Sequence, residues 1–407
     1  WRARSRAPAN QSEIRSHKSV KRIPPVTHYT EDRYLIWRKK CASPVSQVTL
    51  YSGKVVNRGE STVMKITDIE TIILRLPEPV LPNGDNLQDV LIIRIHTDDG
   101  LVGIGEAHTS PTVLKAIIDA PISHLTTQGL KPLLLGKNPL RINELWNAMY
   151  DHTVSYGRRG AVMQAISGID IALWDLLGKA TGQPIHQLLG GKVRNAVPAY
   201  ASDLTPATPE GMIEQAKRHA EAGFTGMKFG WGGLGGDVKS DAKWVGEIRA
   251  HLGPNIALML DMGTPVPFEQ AVWLAGALAE NDVYFLEEPL SPDDLDGFSN
   301  LVAVSPTPIA TGEKETSRFG FRDLMERGGL RIIQPDIARC GGITETRRIA
   351  ALAETRNVRV IPHCWSTDIL VAATLHFLAT QKDAPWQEFN VMDNPLKSGL
   401  ANEPFKI

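Results

Sequence analysis

The sequence predicts an α/β protein, a (β/α)8-type TIM barrel preceded by a small α+β domain. Three observations carry this. Strand-like tips recur near Ser202, Lys228, Asp261, Glu287, Glu313, Asp336, His363 and Glu388, with helical segments such as PEGMIEQAKRHAEAG and TETRRIAALAETRN between most of them. Asp261 (ALMLD), Glu287 (VYFLE) and Glu313 (PIATGE) each close an apolar run and stand 26 positions apart, the length of one strand, one helix and two loops. A run of strands and then a helical block fills the residues ahead of the barrel, which is the order of a separate α+β layer.

The first 63 residues hold 13 Lys/Arg against 4 Asp/Glu, contain no methionine and show no sustained periodicity. A targeting peptide or a nucleic-acid arm has this charge. A disordered, non-native extension fits the scattered Arg, Ser and Pro better and is the reading adopted. From Met64 the text MKITDIETIILRL alternates as a strand does, and VLIIRIHTDDGLVGIGEA follows as two strands around an Asp-Asp-Gly turn. Residues 111–190 are mostly helical, and AVMQAISGIDIALWDLLGKATG has apolar positions at helical spacing with Gly178 and Gly182 as stop signals.

Composition narrows the function classes. Residues 64–407 hold 31 Lys/Arg against 41 Asp/Glu, an acidic body that argues against nucleic acid as a partner. No uninterrupted apolar stretch approaches the length of a membrane span. Cys41, Cys340 and Cys364 are too few and too scattered for a disulfide framework or a zinc site, and a reducing cytoplasm is the expected location.

Chemistry in a parallel barrel gathers at the C-terminal ends of the strands. Three carboxylates brought to one mouth repel unless a hard divalent cation neutralises them, so Asp261, Glu287 and Glu313 are the expected metal ligands. Asp336 ends LRIIQPD, and His363 ends VRVIPH 27 residues later. An Asp bonded to one imidazole nitrogen fixes the tautomer and raises the basicity of the other, which makes His363–Asp336 a candidate base beside the metal. Lys228 (TGMK) is expected to bind a substrate carboxylate, or to act as a base after a depressed pKa. Glu388 (PWQE) is expected to donate a hydrogen bond in its protonated form. Loops 78–89 and 106–113, with Glu106 and His108, are the expected lid, and Trp365 a candidate pocket wall.

From Met64 onward these residues resemble the mandelate racemase branch of the enolase superfamily. The resemblance rests on AISGIDIALWDLLGKATG, on the tetrapeptide LEEP, and on the order Asp261, Glu287, Glu313, Asp336, His363. It implies a modified barrel over residues 191–389 and a capping domain over 64–190 that also takes in 390–407. It implies Mg²⁺ on the three carboxylates, His363–Asp336 as a base dyad, and proton abstraction α to a carboxylate through a metal-stabilised enolate. Substrate binding by Lys228, Glu388 and His108 and a homo-oligomeric state are expected with it. Many members carry Lys-x-Lys on the second barrel strand; here the text is Lys228-Phe229-Gly230, so a base for the second face is missing. That disfavours racemisation. Asp336 stands where cycloisomerases and dipeptide epimerases of related branches place a Lys, which disfavours them too. One-base dehydration of a sugar acid to a 2-keto-3-deoxy acid remains. KFGWG and YGRRG look most like dehydratases of the rhamnonate or lyxonate type. A racemase or epimerase of a 2-hydroxy acid, or a catalytically inactive relative, is the alternative. The resemblance also implies a Gly-rich tail beyond ANEPFKI, so the chain is expected to be a fragment.

Two rival motifs are weaker. Gly230-x-Gly232-x-x-Gly235 spells a dinucleotide fingerprint, but it follows an internal strand and no acidic strand end stands about 20 residues on. His363 and Cys364 could suggest a thiol nucleophile with its base, but neighbouring strand residues point to opposite faces.

Overall fold

The computed structural model describes residues 63–77, 88–123, 127–232 and 234–405. The basic extension, apart from Val63, and loop residues 78–87 lie outside the described residues. Thr62–Ile407 is one compact unit, and two layers of structure are distinguishable within it.

The first layer is an antiparallel sheet of β1 (Ile66–Arg75), β2 (Asp89–Thr97) and β3 (Val102–Ala107), in the order β1-β2-β3. Five helices follow: α1 (Pro111–Asp119), α2 (Leu130–Leu134), α3 (Ile142–Gly157), α4 (Ala161–Thr181) and α5 (Ile185–Leu188). The meander and the helical block are thus as the sequence indicates. One face of the sheet, through Leu91, Ile93, Ile95 and Ala107, joins a core shared with Ile166, Ile169 and Leu173 of α4. The approach of α4 to β3 is very close: a Cβ at Gly105 would lie 2.1 Å from the Gly168 carbonyl oxygen. Backbone cannot yield there as a flexible side chain can. Gly105→Val is therefore expected to cost roughly 2–3 kcal/mol and to lower the melting temperature by several degrees in a thermal melt.

By length and composition α4 is the one helix among the described residues that could cross a membrane, and 72% of its apolar window is buried inside the protein. Asp170 and Asp175 interrupt it, so the sequence shows no continuous apolar run. Asp170 serves the core. Asp170 accepts from the Thr344 backbone N–H at 2.9 Å, and burial, the dominant influence, pushes its carboxyl up to about 7.

The second layer alternates strand and helix: β4 (Ala199–Leu204), α6 (Pro209–Glu221), β5 (Gly226–Gly230), α7 (Val238–Leu252), β6 (Ala257–Asp261), α8 (Phe268–Ala279), β7 (Val283–Glu287), α9 (Leu295–Val304), β8 (Ile309–Thr311), α10 (Ser317–Glu326), β9 (Ile332–Ile333), α11 (Gly342–Glu354), β10 (Arg359–Val360), α12 (Asp368–Leu378), β11 (Gln387–Asn390) and the short α13 (Pro395–Ser398). The eight strands form one parallel sheet, order β10-β9-β8-β7-β6-β5-β4-β11, whose end strands share no ladder. All eight expected strands are present in a curled, incompletely laddered barrel, the modified form that the resemblance implies.

Side-chain alternation sets the depth of each group. Tyr200, Met259, Phe285, Ala310, Ile332 and Ile361 pack together as an apolar floor. Two residues beyond these, on the same faces, stand Ser202, Asp261, Glu287 and His363. The strand-tip expectation needs two corrections. Glu313, Asp336 and His363 lie just past ladders that end at Thr311, Ile333 and Val360. Ser202, Lys228 and Glu388 lie inside β4, β5 and β11, deeper than a tip, with Ser202 opposite both Lys228 and Asn390.

The first layer is tied to the barrel at its upper end. Gly341 donates its backbone N–H to Ser167 Oγ (2.8 Å), and Trp146 Nε1 donates to the Gly341 carbonyl (2.8 Å). Trp174 Nε1 donates to Thr344 Oγ1 (2.9 Å). The C-terminal stretch packs on the same layer: Leu396 of α13 clusters with Val90 and Ile92 of β2.

Candidate active site

A cavity of about 430 Å³ opens at the C-terminal ends of the barrel strands and is roofed by Gln88, Asp89, His108 and Thr109 of the first layer. Its walls include Lys228, Asp261, Glu313, His363 and Glu388, while Glu287 and Asp336 stand fully buried behind them. The eight site residues expected from sequence are therefore gathered in one place. A larger recess of about 1260 Å³ lies at the opposite ends of the strands, beside Arg331 and Arg359, and contains none of them.

Asp261, Glu287 and Glu313 each offer an oxygen within 4.8 Å of the others. Burial, with mutual repulsion added, pushes the Asp261 carboxyl up and Glu287 far up. Glu287 Oε1 is buried and accepts no hydrogen bond. Three hard oxygen donors, one of them orphaned, fit a divalent cation such as Mg²⁺.

Below the triad, Lys228 Nζ lies 2.8 Å from Glu287 Oε2, 2.8 Å from Glu388 Oε1 and 3.5 Å from Asp261 Oδ2. Burial would lower its pKa, but these carboxylates outweigh burial and hold it well above the ordinary lysine value. These contacts favour the charged form of Lys228 as long as no cation neutralises the carboxylates. Removing it would leave buried carboxylates unpaired at a cost of about 3–5 kcal/mol. Lys228→Met is expected to destabilise the metal-free protein by that order, with Mg²⁺ restoring part of the loss in a thermal melt.

Glu388 accepts from Lys228, from Ser202 Oγ (2.7 Å) and from the Cys364 backbone N–H (2.6 Å). Burial raises its carboxyl, but Lys228 and His363 more than offset this and hold it below the usual range. Its contacts in this structure are those of an acceptor. The Cys364 side chain belongs to the apolar core.

His363 Nδ1 pairs with Asp336 Oδ2 at 2.7 Å, and Asp336 Oδ1 accepts from the Ala338 backbone N–H at 2.7 Å. The carboxylate is thereby fixed and Nδ1 is left as the donor. His363 Nε2 then faces the triad, 3.1 Å from Glu313 Oε2. Burial alone would lower the imidazole pKa; Glu313, Glu388 and the Asp336 hydrogen bond raise it to about 9.

The lid expectation changes. Glu106 lies in β3 and is wholly buried; it accepts from Thr367 Oγ1 and from the Leu370 backbone N–H (3.2 Å), tying the first layer to α12. Residues from Pro111 on are already helix. His108 does line the cavity, and Arg339 Nη2 donates to its Nδ1 at 3.0 Å. Burial, then the Arg339 charge, holds His108 down at about 3, so it is neutral.

Sequence reasoning missed Arg339, the Glu288–Lys314 ion pair and Trp231. Each is one to three residues from a recognised group, in loops whose directions the sequence pattern does not fix. Trp365 lines the cavity as expected. YGRRG lies outside it, with Arg159 3.2 Å from Glu315 and the Gly160 N–H donating to Thr316 Oγ1. The dinucleotide motif has a local structural use: a Cβ at Gly230 would lie 2.7 Å from the Asp261 Cβ, and the Gly235 N–H donates to Asp241 Oδ2.

A roofed βα barrel with a buried acidic cradle at its strand ends is the architecture of an enzyme whose site could hold a metal ion. Comparison with known proteins is specific. Residues 73–190 match the mandelate racemase / muconate lactonizing enzyme N-terminal domain, and residues 211–407 match the enolase C-terminal domain-like family. The chain is 33% identical over 361 residues to D-galactarolactone cycloisomerase of Agrobacterium fabrum, covering 84% of this chain and 92% of that one. It is 35% identical over 319 residues to L-rhamnonate dehydratase of Saccharopolyspora erythraea (76% and 75% covered). With D-galactonate dehydratase of Verminephrobacter eiseniae it shares 37% over 305 residues (73% and 77%). Among solved structures, 3,6-anhydro-D-galactonate cycloisomerase of Zobellia galactanivorans superposes with a TM-score of 0.74 at 34% identity, covering 82% of this chain and 89% of that one. The chain belongs to the mandelate racemase branch of the enolase superfamily.

Proposed function

We propose that the protein dehydrates a sugar acid to a 2-keto-3-deoxy acid in a Mg²⁺-dependent reaction. The observation that carries this is the single His–Asp pair aimed at the acidic cradle, with a glycine, Gly230, at the strand position where a second base would stand. The dehydratases among the relatives support the reaction type.

A cation on Asp261, Glu287 and Glu313 would supply positive charge to the substrate carboxylate as its α-carbon loses a proton. With that positive charge countering Glu313, the carboxylate that most raises the His363 pKa, His363 Nε2 takes the proton, and Asp336 holds the imidazolium that forms. The β-hydroxyl then leaves with the proton carried by His363, so one water departs and the resulting enol becomes the keto acid. Lys228 supplies a fixed ammonium beneath the site. Glu388 holds Lys228 and the backbone next to His363.

A second reading has a specific observation behind it. The cycloisomerase relative shows that lactone chemistry occurs nearby in the family, which lessens the weight of Asp336 as an argument against it. Incubation with Mg²⁺ and L-rhamnonate, D-galactonate or D-galactarolactone, followed by semicarbazide absorbance for keto acid, separates the two. Keto acid from an open-chain acid supports dehydration. Consumption of the lactone alone moves the assignment to cycloisomerisation. Light scattering tests the homo-oligomeric state that the resemblance implies.

A further inference from the structure

We propose that Trp231 is the platform on which the carbon chain of the substrate stacks, and hence a specificity-determining residue; this rests on the sugar-acid reading above. Three independent features single it out. First, Trp231 has a φ of 56°, a left-handed backbone that a bulky aromatic side chain rarely adopts. Glycine would hold that turn without strain, as Gly232 does beside it at a φ of 66°. A strained position kept by a large ring points to a use for the ring. Second, the ring is seated. Gly263, at a φ of 60°, has room for no Cβ: one would meet Trp231 Cδ2 at 2.6 Å. The indole therefore packs against the bare backbone of Gly263, two residues past Asp261. Third, the ring borders the cavity, where Lys314 Nζ stands over it, 5.4 Å from the centroid, so that the ammonium and the carbon chain would share the ring.

The location gives the ring its task. β5 adjoins one side of the metal-cradle strands β6, β7 and β8, and the His363–Asp336 pair follows β9 and β10 on the other side. Gly230 leaves the C-terminal end of β5 without a side chain, and Trp231 is the next residue. A polyhydroxylated chain has apolar C–H faces between its hydroxyls, and a fixed aromatic face binds such a surface while excluding water from it. The platform would hold the chain beyond the carboxyl end, leaving the α-hydrogen to His363.

The test uses His363→Asn protein with Mg²⁺, which should bind acids without turning them over. Titration calorimetry would compare D-galactonate with glycolate, which has a carboxylate and a hydroxyl but no chain to stack. Adding Trp231→Gly is expected to weaken D-galactonate binding at least tenfold and glycolate less than twofold. Trp231→Phe should retain D-galactonate within about threefold. The Gly variant should fold, since glycine suits that backbone, and a Mg²⁺ titration checks the cradle separately. Equal losses for both acids, or no loss for D-galactonate, would overturn the platform. Binding of Mg²⁺ but of none of L-rhamnonate, D-galactonate and D-galactarolactone by the His363→Asn protein would sink the sugar-acid reading itself, and the platform with it.

Discussion

Replacing His363 by Asn is expected to lower kcat by roughly 10²–10⁴-fold, the usual contribution of a general base. Asn preserves polarity and approximate size but has no basic nitrogen. The geometry makes the loss specific. Nε2 points at the cradle because Nδ1 is held by Asp336 at 2.7 Å, and Asp336 is itself held by the Ala338 N–H. Asp336→Asn should therefore also lose most turnover, through a wrongly oriented imidazole with the wrong tautomer. Both variants should keep the thermal melt and Mg²⁺ titration of the parent within about a factor of three in affinity. An inactive relative would show no turnover to lose, so the parent rate on the acid panel separates that alternative at once.

Glu287→Gln should abolish Mg²⁺ binding and activity together while leaving the metal-free fold at least as stable. The sign follows from burial. Glu287 is fully buried, and its charged form is disfavoured first by desolvation and then by Asp261, although Lys228 opposes this. A neutral amide removes that repulsion. In the parent, Mg²⁺ at about 100 times its dissociation constant should add about 2.7 kcal/mol of stability. Melts with and without Mg²⁺ check both parts: the parent should shift upward and the variant should not. A variant that still responds to Mg²⁺ would place the ion elsewhere.

Much of this site was legible in the sequence for a physical reason. A parallel strand buried on both faces reads as an apolar run, and a carboxylate at its end interrupts that run. Asp261 and Glu287 are such ends. Glu313, Asp336 and His363 stayed legible although their ladders stop earlier, because each follows an apolar run after a break of at most two residues: Thr311-Gly312, Gln334-Pro335 and Pro362. Depth was not legible. Lys228 and Glu388 look like tips in the text, but they lie within their strands and pair with each other at 2.8 Å. Glu106 shows the same limit: its place before a loop suggested a lid, while its carboxyl is buried against α12. Trp231 and Arg339 escaped because loop direction depends on backbone angles and close approaches that no periodicity records.

The most direct test of one-base dehydration is a single incubation in D₂O. The protein, Mg²⁺ and D-galactonate or L-rhamnonate would be followed by proton NMR. The account predicts stoichiometric appearance of a 2-keto-3-deoxy acid, with no epimer of the remaining substrate. Recovery of epimerised acid carrying solvent deuterium at the α-carbon, without keto acid, would show bases on both faces and contradict it.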